Sequence, residues 1–158
     1  MKEGVVMMNF VERVRFLSNM YDYSQTDIAN GTGISKNQIS KYVSGIYLPT
    51  LKNALKLSKF FDCSLDYLFG IENIPNKYNA PLGEPIFDIF LERLEKLTLD
   101  NSLLSICKEF NLTRNSFYEW KYKRTFPTME NLIKLALAFN VSIEFLIGRT
   151  DDPKRITK

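Results

Sequence analysis

The feature that most constrains this chain is that it repeats itself. FVERVRFL at 10–17 returns 80 positions later as FLERLEKL, and from Ile28 onward the offset is 78. IYLPTLKNALKLSKFFDCSLDYLFG (46–70) lies against RTFPTMENLIKLALAFNVSIEFLIG (124–148), pairing Pro49 with Pro127, Asn53 with Asn131, Ser64 with Ser142 and Gly70 with Gly148. Register kept over this length marks two related domains of roughly 60 residues each, a reading that precedes any local assignment. The change of offset means that the second copy lacks two residues near its first turn. We expect a first domain over 1–71, a linker over 72–86, a second domain over 87–150 and a tail over 151–158.

Each copy reads as helix throughout. Val11, Val14 and Leu17, and their counterparts Leu91, Leu94 and Leu97, fall on one face at helical spacing. Ser24-Gln-Thr-Asp27 has the form of a capping box and opens a second helix. Ser35 and Thr113 are N-caps for a third, and Gly45 stands where that helix should stop. Leu51, Leu55 and Leu57, with Met129, Ile133 and Leu135, supply a fourth helix. Ser64 and Ser142 cap a short fifth that ends at Gly70 and Gly148. No alternating strand pattern occurs. The expectation is all-α: two tandem five-helix domains.

Composition removes several functions. The 158 residues contain no histidine, so the usual general base and the commonest metal ligand are missing. Cys63 and Cys107 are too few for a zinc or disulfide framework and are expected as reduced, buried core thiols of a cytoplasmic protein. No apolar run approaches the roughly 18 residues of a membrane span. The N-terminal VVMM is too short for a signal peptide, and a natural start at Met7 or Met8 would make the preceding residues an extension without structural meaning. No nucleophile–base pair or metal set is present, so no enzyme, cofactor or small-molecule ligand is expected. A net charge of +3 permits a nucleic-acid partner without requiring one.

Residues 25–44 resemble the helix-turn-helix of the Cro and lambda-repressor type, the XRE family. Ile28, Ala29, Gly33, Ile34, Ile39 and Tyr42 stand at its buried and turn positions. A small residue at 29 lets two helices cross closely, and Gly33 suits a left-handed turn. In the second copy these positions hold Ile106, Cys107, Asn111, Leu112, Phe117 and Trp120. Asn111 is the best non-glycine residue for such a turn.

The resemblance implies a double-stranded DNA partner, with the third helix entering the major groove. Carried over residue by residue, it places Ser35, Lys36, Asn37, Ser40 and Lys41 at the groove, and Gln25 near a phosphate at the start of the second helix. No acid interrupts residues 28–61. In the second copy Leu103 replaces the glutamine. Its groove set is Thr113, Arg114, Asn115, Tyr118 and Glu119, with Lys121, Lys123 and Arg124 as phosphate holders. Both copies lack the glutamate that many family members carry near the end of the third helix. Val43 and Lys121 stand there, so a common structural ion pair is expected to be missing and replaced by packing.

IENIPNKYNAPLGEPI (71–86) has linker composition. Its 16 residues reach roughly 55 Å when extended and about 22 Å as a flexible coil, against about 34 Å between consecutive major grooves. Tyr78 and Leu82 are alternative docking residues that would fix the arrangement. After Gly148 only RTDDPKRITK remains, too short for a sensor domain. The expected function is a small bacterial or phage transcriptional regulator, a repressor, that uses one or both third helices and forms a homodimer or a covalent pseudo-dimer. The alternative is a protein-interaction or antitoxin-like regulator whose C-terminal domain mediates pairing.

Overall fold

The computed structural model describes residues 3–73, 85–99 and 103–153. They contain ten helices and no strand, and they divide into two compact units of five helices each. The first unit comprises α1 (Glu3–Met20), α2 (Gln25–Thr32), α3 (Lys36–Val43), α4 (Leu51–Phe60) and α5 (Leu65–Leu68). The second comprises α6 (Phe87–Leu99), α7 (Leu103–Glu109), α8 (Arg114–Lys123), α9 (Met129–Phe139) and α10 (Ile143–Leu146). The expected linker and tail lie largely outside the described residues, as do Tyr78, Leu82 and the side chain of Leu103. Helix α1 begins at Glu3, so the backbone of residues 3–6 is helical and continuous with the rest of α1.

Helices this short are marginal alone, so their ends carry much of the local specification. Ser24 and Asp27 form the capping box: the Ser24 hydroxyl accepts from the Asp27 amide at 3.2 Å, and the Ser24 amide donates to the Asp27 carboxylate at 2.8 Å. Ser35 and Thr113 cap α3 and α8 through the amides of Gln38 and Ser116. Thr50 and Thr128, 78 apart, cap α4 and α9, and Ser64 and Ser142 cap α5 and α10. Asp62 and Asn140, another pair at that spacing, both take positive φ after the fourth helix of their unit.

In the first unit Phe10 stacks on Phe69 at 5.1 Å, beside buried Leu17, Ile28, Ile39, Leu57 and Leu68. The second unit builds its core on Phe90, which meets Trp120 at 6.4 Å and Phe126 at 5.5 Å, with Leu132, Leu135 and Leu146 around them. Arg13 lies 4.0 Å over the Tyr67 ring, and Arg93, 80 residues on, lies 4.1 Å over Phe145. Glu144 and Arg149 form a buried pair at 2.8 Å.

Three expectations change. Ile28, Ile39 and Ile106 are buried, but Phe117 is only half-buried. The larger Trp120 occupies the interior, and Phe117 packs on its edge with ring centroids 5.0 Å apart. Cys63 is a buried free thiol, whereas Cys107 is free but partly exposed, at the rim of the α7–α8 crossing like its counterpart Ala29. Finally, packing alone does not replace the missing ion pair. Arg15 donates to the Val43 carbonyl at 3.1 Å, and Lys121 pairs with Glu95 at 2.8 Å. The second unit thus holds an ion pair at the end of its third helix, with the cation on α8.

Two glycines separate backbone strain from steric contact. Gly33 has φ +66 with open space where a Cβ would be, while Gly70 has φ +69 and a Cβ would meet the Asn9 Cβ at 2.7 Å. Replacing Gly33 by Ala should therefore cost only the left-handed penalty of about 1–2 kcal/mol, and Gly70→Ala distinctly more. Chemical denaturation of the two variants checks the order; equal losses would show that the α1 contact relaxes. The Asp27 carboxyl is held below its usual 3.8 by hydrogen bonds from the Ser24 side chain and then from its backbone amide. A depressed folded value stabilises above the unfolded one, so this contribution is lost as pH falls through the folded value. Thermal melts should show Asp27→Asn less stable than the parent at pH 6, with the gap closing as the pH falls below 3.8 and through the lowered folded value.

Candidate nucleic-acid interface

Helices α2 and α3 are joined by three residues, Gly33, Ile34 and Ser35. The Thr32 hydroxyl holds this turn from inside, donating to the Ile28 carbonyl at 2.7 Å and accepting from the Ile34 amide at 3.2 Å. The Gly33 amide donates to the Ala29 carbonyl at 2.9 Å. With Ile34, Ile39 and Tyr42 buried, the opposite side of α3 is left to solvent. Lys36, Asn37 and Ser35 are exposed there, and Ser40, Lys41 and Gln25 are partly exposed. All six residues expected in the first unit are therefore exposed or partly exposed.

Tyr42 ties this helix to the next, its hydroxyl accepting from the Asn53 amide group at 2.9 Å. The segment after α3 turns at Gly45, φ +68, and brings the Tyr47 ring to 5.5 Å from Tyr42 and 5.9 Å from the Lys41 ammonium. Lys36, Lys41, Lys52, Lys56 and Lys59 make no ion pair among the described residues, and no acid lies between 28 and 61. The result is a run of five lysines on α3 and α4 with no acid in the same stretch.

Two residues of this surface escaped the sequence reading. Gln38 is exposed on the first turn of α3, and its side-chain oxygen accepts from the Ser35 hydroxyl at 3.4 Å. Its position three residues after a capping serine was the available signal. Tyr47, beside Lys41, had none, because it lies in the loop beyond the motif.

The second unit is built alike but charged differently. Asn111 takes φ 50 at its turn, and the Leu112 amide donates to the Cys107 carbonyl at 2.9 Å. Lys123 replaces the glycine at 45, so α8 runs on to Lys123 and Arg124 adopts the positive φ instead. Thr113, Arg114, Asn115, Tyr118 and Glu119 are exposed as expected. Each of the three expected phosphate holders, however, faces an acid. Lys121 is 2.8 Å from Glu95, Lys123 is 2.8 Å from Glu119, and Arg124 is 2.5 Å from Asp88. Glu95 pushes the Lys121 ammonium above its usual 10.5, favouring the paired form. All three pairs are exposed, so they contribute little to stability. They do place negative charge beside the surface that a phosphate backbone would approach.

Among the described residues no group of acids and cysteines could hold a metal ion, and no helix is long and apolar enough to cross a membrane.

Comparison with known proteins bears on the first unit most directly. Residues 19–68, which take in α2 to α5, match the helix-turn-helix domain family. An HTH-type transcriptional regulatory protein of Pyrococcus furiosus is 31% identical over 90 residues, 57% of this chain and 23% of that protein. The chain thus spans about a quarter of that relative. The transcriptional repressor RstR of the cryptic phage CTXphi, from Vibrio cholerae, is 29% identical over 109 residues, 64% of this chain and 98% of the repressor. An uncharacterised HTH-type transcriptional regulator of Methanocaldococcus jannaschii is 30% identical over 61 residues, 39% of this chain and 92% of that protein. No solved structure matches the chain. The chain belongs to the helix-turn-helix family and is a DNA-binding transcriptional regulator.

Proposed function

We propose that the chain is a sequence-specific repressor whose two units are tandem copies of one XRE-type domain, the first of which reads the major groove with α3. The observation that carries this reading is the uneven charge within the first unit: five lysines and no acid between residues 28 and 61, on α3 and α4. Lys36 suits guanine O6 and N7, and Asn37 suits adenine. Ser40 and Lys41 follow one turn on, and Ser35 and Gln38 hold the entry. Gln25 and the first amides of α2 supply a phosphate contact. The paired caps and positive-φ residues at a spacing of 78 support common descent of the two units. The name of the Vibrio cholerae relative favours repression. No step of this function calls on an enzyme activity or a cofactor, and a DNA partner places the protein in the cytoplasm.

A second reading, in which both units read unlike half-sites, is favoured by the exposed Arg114 and Asn115 at the capped start of α8. The acid beside every cation further along α8 weighs against it.

Lys36→Ala should weaken binding to duplexes selected from a random pool by about 1–3 kcal/mol and relax preference at one base position. Equal loss on every duplex would make Lys36 a phosphate contact, and no loss at all would sink the reading. Replacing Lys41 should also lower the salt slope by about one if it touches a phosphate. Replacing both Arg114 and Asn115 by alanine should leave base-specific protection intact. Loss of protection over one half-site would instead establish the two-reader arrangement.

A further inference from the structure

Helix α8 exposes two large rings that its counterpart lacks. Tyr118 and Tyr122 are 60% and 63% exposed, with ring centroids 4.0 Å apart. The residues 78 positions earlier are Ser40 and Ser44. The fold does not require tyrosines at these places, because the interior side of α8 is filled by Trp120, packed on Phe90. Tyrosine is a residue type enriched at protein interfaces, where a flat apolar body and a polar tip both find partners. Serine in the first unit leaves the helix backbone free to approach a groove, and paired tyrosines hold it away.

Charge on either side of the rings narrows the partner. Residues four apart share a row on a helix, so the Tyr118–Tyr122 row is flanked by the row of Glu119 and Lys123. Its other flank carries Lys121, paired with Glu95 of α6. The face is therefore aromatic along its centre and of mixed sign at its edges. DNA presents only negative charge, and beyond the exposed Arg114 at the start of α8 it would meet Glu119 and Glu95 beside the rings.

We propose that the Tyr118–Tyr122 face of α8 is where two copies of this chain associate, with their α8 helices antiparallel about a two-fold axis. Such an interface uses the same patch twice and must be complementary to itself. Reversing the helix direction sets Tyr118 of one copy opposite Tyr122 of the other. The same reversal sets Glu119 opposite Lys123 and Lys123 opposite Glu119, so every existing pair gains an opposite neighbour and none is broken. An unrelated protein partner would place no such demand on the surface. The association gives a regulator with one reader per chain two readers per particle, and with them the affinity of linked modules. That use rests on the proposed reading by α3, but the interface does not, and it is testable without DNA.

The test is sedimentation velocity of the full-length chain without DNA, over roughly 1–100 μM, a range that resolves micromolar association. The parent should be a reversible dimer. Tyr118→Ser with Tyr122→Ser should raise the dimer dissociation constant at least about tenfold, with an unchanged circular dichroism spectrum because both side chains are exposed. Glu119→Lys should also weaken the dimer by placing lysine against lysine. Adding Lys123→Glu to it should restore association, which a merely structural role would not do. A parent that stays monomeric throughout, or variants that dimerise like the parent, would overturn the proposal. Lys36→Ala should leave the dimer unchanged, so loss of DNA reading and loss of pairing are separate results.

Discussion

The three-residue turn between α2 and α3 is the constraint on which the rest of the first unit depends. A left-handed residue at Gly33 lets the chain reverse within one step, and the Thr32 hydroxyl bridges the carbonyl of Ile28 to the amide of Ile34 across it. That bridge gives the Ile34 amide a partner inside a tight turn that would otherwise leave it buried and unpaired. With the angle between the helices set, Ile28, Ile34 and Ile39 meet on one side, and the first turn of α3 has nowhere to point but outward. The exposed first turn of α3 is thus a consequence of the turn and its buried neighbours. Asn111 solves the same backbone problem in the second unit, without a hydroxyl at 110 to bridge it.

Much of this was legible in the sequence because it is encoded locally. The caps at Ser24, Ser35, Thr113, Ser64 and Ser142 depend on residues three positions away, and short-range hydrogen bonds need no tertiary knowledge. Buried Ile28, Ile39 and Ile106 follow from the resemblance to the helix-turn-helix pattern, whose buried positions they fill. Phe117 does not, because the pattern says which face is inward and cannot say which of two aromatics fills the limited space. Trp120 prevails there because its larger surface gains more from burial against Phe90.

The charges of the candidate site show where a linear reading ends. Lys121, Lys123 and Arg124 look like a phosphate-binding run when read along the chain. Two of their partners, Glu95 and Asp88, sit 26 and 36 residues away on α6. Only packing of α6 against α8 reveals that the run is matched. In the first unit the position corresponding to Glu95 is Arg15, which turns to the Val43 carbonyl. One helix register therefore carries opposite charge in the two units. Against each third helix it produces opposite outcomes: surplus cation in one, balance in the other.

This difference bears on the proposed division of roles between the two units. Two identical readers on one chain would each keep a basic helix face, and like charges on that face would oppose any pairing between copies. Balancing the charge of one face removes that repulsion and also removes its attraction for phosphates. Exposed tyrosines then have something to bury against, since a surface of mixed sign tolerates its own image. On the proposed reading, loss of DNA contact and gain of a pairing surface are the same physical change, made on a scaffold whose caps, turn and core need not alter. The fold persists across both uses because what maintains it lies on the inward side of α3 and α8, and what each helix recognises is decided by a few residues on the other.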